Sequence, residues 1–190
     1  MDIKQFEQNG ICFNLNIKDL TANVVNSPEA SGNVIIPQSI IYKSIEYKIT
    51  SIGKNSFKDN WKIDSIQFPP NSEIQSFETD SFFSSSIQSL HFPPKLDNLE
   101  EGWCQGTSEI INITISKENK NFFFLDNENK IIVKNSEKNQ TKNNDTIVFA
   151  ARDIEKVTIT DSIRHISSFA FCQCEKLKSI EFSKNSKIES

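Results

Sequence analysis

Apolar positions between Ile163 and Phe182 follow a spacing that is neither helical nor simply alternating. Ile166 is followed by Ala170-Phe171, Cys174, Leu177, Ile180 and Phe182. The same ladder occurs earlier as Ile52-Gly53, Ser56-Phe57, Asn60, Ile63, Ile66 and Phe68-Pro69. A further copy runs through Ile74, Phe77, Ser81-Phe82-Phe83, Ile87, Leu90 and Phe92-Pro93, one residue short between Phe82 and Ile87. Another uses Leu96, Leu99, Trp103-Cys104, Ile110, Ile113 and Ile115, with an indole in the small-residue slot and Cys in the Phe slot. Phe68 to Phe92 is 24 residues, and Phe92 to Ile115 and Ile159 to Phe182 are each 23. A motif recurring with its spacing intact predicts a repeat array.

The pattern also predicts how each unit folds. In I-x-F both apolar residues share one face of a short strand and point inward. Strands about 23 residues apart in the chain then stack as a parallel sheet, each burying its neighbour's apolar edge. The A-F-x2-C segment is read as the return path, a short helical or 3₁₀ turn that points Phe and Cys into the same core. Pro69 and Pro93 stop strand pairing and start the turn. The expected fold class is a β-rich solenoid, α/β horseshoe-like with short helical or 3₁₀ turns.

Two stretches break the ladder. Residues 1–33 contain the alternating run Gly10 to Ile17, a second candidate strand Thr21 to Val25 and a turn-rich segment from Asn26 to Asn33. An N-terminal β cap covering the open end of the first unit is the expected role. Val34-Ile35-Ile36-Pro37 then opens the array, and Ile45 to Ile52 reads as an alternating strand entering the first full ladder. Ile115 to Ile159 spans 44 residues, about two periods, without the ladder. It holds Phe122-Phe123-Phe124-Leu125, the turn Asp126 to Asn129, Lys130-Ile131-Ile132-Val133, a polar loop from Asn135 to Asp145, and Thr146 to Ala150. These predict a β-hairpin island plus a returning strand, with a mobile loop tip. The expected division is a cap over 1–33, repeats over 34–118, an island over 119–150 and repeats over 151–190. Lys187 to Ser190 reads as the opening of another ladder, so the array is expected to continue.

Composition narrows the function classes. Of 190 residues, 36% are hydrophobic and 24% charged, with net charge -4. Lys and Glu are interspersed, so no basic face for nucleic acid is expected. No run approaches the ~20 apolar residues of a membrane span. Asp2, Glu7 and several amides interrupt any signal-peptide core at the start. That leaves a cytosolic protein, an unconventional export route, or a leader removed before Met1.

Cys12, Cys104, Cys172 and Cys174 are even in number. Their spacing suits disulfides poorly, and Cys104 and Cys174 occupy ladder positions filled elsewhere by Phe57, Phe82 and Asn60. Free packing cysteines are expected.

These spacings resemble the BspA-type leucine-rich repeats, whose units read I-G-x2-A-F-x2-C-x2-L-x2-I-x-[IL]-P. Ile166 to Phe182 and Ile52 to Pro69 match closely, and the resemblance covers residues 10–190. V-I-I-P at 34–37 followed by I-E-Y-K-I-T-S-I-G at 45–53 resembles the family's entry to its first repeat. The island is similar to the hairpin that interrupts such arrays. Thr160 and Ser183 in place of Pro, and the Trp103-Cys104 swap, are departures. The Asn, Lys, Ile, Phe and Ser bias resembles the expanded protist set of the Trichomonas type. The resemblance implies a cell-surface or secreted protein that adheres to host cells, matrix proteins or other microbes.

Candidate functional residues follow from the strand register. Ser65 and Gln67, Ser89 and His91, Asn112 and Thr114, Lys156 and Thr158, and Ser179 and Glu181 are expected to point outward as a polar ladder on a concave face. They form either a shallow protein- or glycan-binding surface or an ordinary solvated sheet. Trp61 is either an exposed anchor or folded over the adjacent coil. Phe122, Phe123 and Phe124 alternate within a strand, so at least one ring faces outward, and a homodimer through the island would cover it.

Catalytic chemistry has little footing. His91 and His165 lie far apart, Cys172 and Cys174 lack the two-pair spacing of a zinc site, and no glycine-rich phosphate loop is present. No catalytic residue, metal or cofactor is expected. Sequons at Asn112, Asn139 and Asn144 matter only if the chain is secreted, and a glycan on Asn112 would block the concave face. The expected function is a non-catalytic adhesion or recognition module. An intracellular scaffold or regulatory interaction protein is the alternative, supported by the missing signal and unpaired cysteines.

Overall fold

A computed structural model describes residues 4–135 and 144–189. The polar loop read between Asn135 and Asp145, with Asn139, lies outside the described residues apart from its ends. The chain begins with an antiparallel meander, β1 (Lys4–Gln8), β2 (Ile11–Asn16) and β3 (Thr21–Val25). After β4 (Gly32–Ile35) comes the hairpin of β5 (Ser39–Tyr42) and β6 (Ile45–Ile52). Next are β7 (Ile63–Gln67), β8 (Ser76–Phe77), β9 (Ser89–Phe92), β10 (Asn98–Leu99) and β11 (Asn112–Ile115). A second antiparallel meander follows, β12 (Phe122–Phe124), β13 (Ile131–Asn135) and β14 (Asn144–Ala150). The last strands are β15 (Lys156–Ile159), β16 (His165–Ile166) and β17 (Ser179–Phe182).

Each repeat contributes to two parallel sheets. The I-x-F strands form the order β4-β7-β9-β11, with Val34, Ile66, Leu90 and Ile113 in register and buried. The strands around Ile52, Phe77 and Leu99 form the second sheet, β3-β6-β8-β10, which the N-terminal meander extends. This second sheet and the strands β1 and β5 were not legible in the ladder. Its strands are two residues long at β8 and β10, too short to leave an alternating pattern.

The expected helical or 3₁₀ turn is not formed: no helix occurs among the described residues. The reason lies in where the backbone N–H groups go. Ser56, Lys58 and Asn60 donate to carbonyls three residues back, those of Gly53, Asn55 and Phe57. The intervening Phe57 and Asp59 donate across to Ser81 and Phe83 of the next repeat. Three-residue bonds recur at Ser81, Phe83 and Ser85, at Trp103, Gln105 and Thr107, and at Ala170, Cys172 and Cys174. A continuous helix would use every N–H internally, leaving none for the neighbour.

The alternation requires left-handed residues at fixed slots. Asn55, Asp80, Gly102 and Phe169 occupy one slot, and Asp59, Ser84, Gly106 and Gln173 the other, all at positive φ between 50° and 76°. Gly106 is further confined, because a Cβ there would meet Ser84 Oγ at 2.6 Å. The aligned turns place Trp103 with Ser56 and Cys104 with Phe57, as the ladder implied.

Aromatic rings fill the space between the two sheets. Phe57 stacks on Phe82 at 5.7 Å, and Phe77 meets Phe82, Phe92 and Trp103 at 5.3, 5.8 and 5.6 Å. Full burial of each ring stabilises by roughly 2 kcal/mol. Trp103 carries the chain of rings to Phe149 at 5.8 Å, and Phe92 carries it to Phe122 at 5.3 Å.

The second meander is a partition with both faces covered. Ile132, Val148 and Phe149 belong to the core of the preceding repeats, while Ile131, Val133, Ile147 and Ala150 belong to that of the following one. Burial on both faces accounts for the continuous apolar runs at 131–133 and 147–150. Behind it Arg152 is buried, 3% exposed. Its guanidinium donates to the carbonyls of Thr107, Ala150 and Ala170 at 3.0 to 3.2 Å, lies 3.5 Å from Cys104 Sγ and sits 4.5 Å from the Phe149 ring. One side chain thus joins the third repeat, the meander and the last repeat.

Two predictions follow from this geometry. Phe169 is 39% exposed and takes φ 64° without glycine's freedom. Phe169→Asn should therefore raise stability by about 1 kcal/mol in urea unfolding, by relief of left-handed strain. Arg152→Ala strips donors from three buried carbonyls and leaves a cavity, and should cost about 3 kcal/mol. Arg152→Lys should recover less than half of that, because an ammonium lacks the planar fork; unfolding midpoints of the three proteins measure both values.

Candidate functional site

The outward residues of β4, β7, β9 and β11 fall into two rows set by the parallel register. One row is Asn33, Ser65, Ser89 and Asn112, and the other Ile35, Gln67, His91 and Thr114. Adjacent side chains along a row are a strand spacing apart, close enough to bond. Ser65 Oγ lies 2.7 Å from Asn33 Oδ1, and His91 Nδ1 lies 2.8 Å from Thr114 Oγ1. The expected exposure of Ser65 is corrected: it is 5% exposed, closed over by its neighbours. Gln67, Asn112 and Thr114 are exposed, and Ser89 and His91 half-buried.

Asn33 and Ile35 were missed, although a signal was present. Val34-Ile35-Ile36-Pro37 has the spacing of Ile66-Gln67-Phe68-Pro69, which places residues 33 and 35 on the outer face. Ile35 is 63% exposed.

The other four expected residues belong to a different sheet. Lys156 pairs with Ser179 and Thr158 with Glu181 in the two-stranded sheet β15-β17. All four are exposed, and Lys156 Nζ reaches Glu181 Oε1 at 2.7 Å across the strands. With both partners more than half exposed, this ion pair contributes little stability. The ten residues expected on one face are therefore divided between two sheets, because β11 does not pair with β15. A groove of about 770 Å³ includes Lys156, Thr158, Asp126, Lys130 and Asp153 in its lining. Lys130 Nζ bonds both Asp153 carboxylate oxygens, at 2.8 and 2.9 Å, and the Ile111 carbonyl at 3.1 Å.

The aromatic candidates separate as well. Trp61 is 72% exposed, so it does not fold over the adjacent coil. Phe122 is corrected from a candidate interface residue to a core residue, 1% exposed against Phe92. Phe124 is half-buried, which leaves Phe123, 37% exposed, to face outward.

The chemistry available is hydrogen bonding and packing. Among the described residues no group of three His, Cys, Asp or Glu side chains could hold a metal ion. All four cysteines are free. Burial pushes the Cys104 thiol up to about 12, against a smaller opposing effect of Arg152. Burial also raises Cys174, with the same guanidinium opposing. Neither thiol has the lowered pKa of a nucleophile.

Comparison with known proteins places this arrangement in context. The family model for the BspA-type leucine-rich repeat region matches residues 37–144 and 142–190, with six copies. Among solved structures the chain is similar to the pneumococcal vaccine antigen PcpA, at 13% identity and a TM-score of 0.54, over 96% of this chain and 50% of that one. It is also similar to a leucine-rich cell surface protein from Faecalibacterium prausnitzii A2-165, at 14% identity and a TM-score of 0.42, over 96% and 77% of the two chains. A leucine-rich-repeat protein from Bacteroides capillosus ATCC 29799 gives 15%, 0.44, 94% and 98% in the same order. Identities this low bear on fold alone, and the chain spans half the length of the PcpA chain. No curated protein matches the sequence.

The face has a pH signature. Burial lowers the His91 pKa, so its ring takes a proton less readily folded than unfolded. Stability from His91 is fully present above the unfolded value near ~6.5, falls as pH drops through it, and levels off below the folded pKa. NMR titration should give His91 a midpoint below the ordinary value. His91→Gln should remove that component of the stability loss between about pH 7 and pH 5.

Proposed function

Since the chain belongs to the BspA-type leucine-rich-repeat family, we propose that it is a non-catalytic recognition module of the cell surface, binding a protein ligand. Leucine-rich-repeat proteins are generally protein-interaction modules and generally not enzymes. In this reading the array is a solenoid, residues 1–33 cap it, 34–118 and 151–190 are repeats, and 119–150 interrupt them. The observation that carries the proposal is the pair of outward rows on β4, β7, β9 and β11. Gln67, His91, Asn112 and Thr114 present donors and acceptors side by side on a rigid parallel sheet, beside the exposed apolar Ile35. Short polar side chains on such a sheet lose little entropy on binding, and solenoids use surfaces of this kind. Trp61, 72% exposed, supplies an aromatic anchor of the type enriched at interface hot spots. Surface display is supported by the fold shared with PcpA, described as a vaccine antigen. In this reading the ligand is a host-cell, matrix or microbial surface protein.

An intracellular scaffold is the second reading, and the four free cysteines favour it. Labelling of intact cells with an impermeant amine reagent separates the two. The surface reading expects labelled protein without lysis, and label acquired solely after lysis supports the scaffold. Under surface display, enzymatic removal of a glycan from exposed Asn112 should increase adhesion of the purified protein to host cells. The triple variant Gln67→Ala, His91→Ala, Thr114→Ala should reduce that adhesion about tenfold or more while melting as a folded protein.

A further inference from the structure

The N-terminal meander continues one sheet of the array and leaves the other open. β3 pairs with β6, whereas among the described residues β4 ends its sheet and pairs only with β7. Gly32 and Ile36 donate their N–H groups towards β7, to the carbonyls of Lys62 and Gln67. Strand alternation turns the N–H and C=O groups of Asn33 and Ile35 the other way, onto an unpaired edge. A groove of about 330 Å³ runs there, between Asn33, Val34 and Ile35 on one side and Gln8 and Asn9 of the β1–β2 turn on the other. Ile11 and Phe13 also line it, and their near-complete burial makes them its floor.

We infer that the edge of β4 is a strand-addition site for an extended peptide of a partner protein, carrying an apolar residue next to a basic one. Three features select that occupant. Unpaired donors and acceptors at Asn33 and Ile35 match a peptide backbone and no other polymer as well. The groove is lined by β4 on one side and by the β1–β2 turn on the other, a setting that suits one added strand. Glu29 is the one charged residue lining the groove, and it pairs with Lys62 at 3.1 Å in a largely exposed contact that an incoming cation can replace. An added strand would lay alternate side chains over Ile11 and Phe13 and set a basic group near Glu29. This edge adjoins the exposed face of Gln67, His91 and Thr114 at Asn33 and Ile35, but Glu29, Ile11 and Phe13 lie outside that face, so either site stands if the other fails.

The probe is a blocked pentapeptide, acetyl-Lys-Val-Thr-Ile-Thr-amide, with a Glu-Val-Thr-Ile-Thr counterpart. In the full chain, amide exchange at Asn33 and Ile35 is expected to be fast, and millimolar Lys peptide should slow it by about tenfold. The Glu peptide should bind about tenfold more weakly, and Glu29→Lys should reverse that order. Ile35→Pro, which removes one edge N–H and none of the bonds to β7, should abolish the protection. Unchanged exchange at Asn33 and Ile35, or an order of peptides indifferent to Glu29→Lys, would overturn the proposal. Protection that grows with protein concentration in the absence of peptide would overturn it too, by assigning the edge to a second copy. Since Glu29 is exposed, its variant tests the site even if Ile35→Pro unfolds the chain.

Discussion

Alternate N–H groups in the return segments leave their own repeat, and the rest of the structure is built on that division. Ser56, Lys58 and Asn60 close turns inside one repeat while Phe57 and Asp59 reach Ser81 and Phe83 of the next. A repeat held this way is incomplete without its neighbour, which makes the array cooperative along its length. Phe57 and Phe82, which donate across, also point their side chains into the common core. Phe77, Trp103 and Phe149 reach the same core from other positions.

Polar side chains complete what the backbone leaves open. Asn60 donates to the carbonyls of Ser27 and Ala30 and accepts from the Lys62 N–H. Asn119 does the same for Pro93 and Leu96, and accepts from Asn121 and Phe122. Each is buried, and each ties an incoming strand to the repeat before it. Behind the second meander, Arg152 does this work with a longer reach. A buried cation facing carbonyls and thiols is tolerated because its donors are occupied and a phenyl face lies against it.

This construction decides which edges and faces are left free. Parallel stacking puts two rows of side chains on the outside of β4, β7, β9 and β11, and the meander at 122–150 ends that sheet. Lys156, Thr158, Ser179 and Glu181 form a second, smaller surface on β15 and β17. The proposed binding face and the β4 edge therefore meet at Asn33 and Ile35, at the N-terminal end of one sheet.

The repeated spacing alone determined the period, the inward residues of the first three ladders and the slots of Trp103, Cys104 and Cys174, because a ladder of fixed register leaves each residue one environment; in the last ladder Ile180 and Phe182, expected to point inward, are 42% and 55% exposed. The strand at Ile45 to Ile52 was legible for the same reason, its alternation running eight residues. Tertiary structure decided the rest. Phe122 and Phe123 are neighbours of one kind in sequence, but one meets Phe92 and the other solvent, since only the packed partner chooses a face. Ser65 and Ser89 share a row, and burial of Ser65 depends on Asn33, thirty-two residues away. The return path could not be read as turns, because its hydrogen bonds go to a neighbour that periodicity does not display. Arg152 carries no local pattern at all: its role exists only once Thr107, Ala150 and Ala170 converge on it.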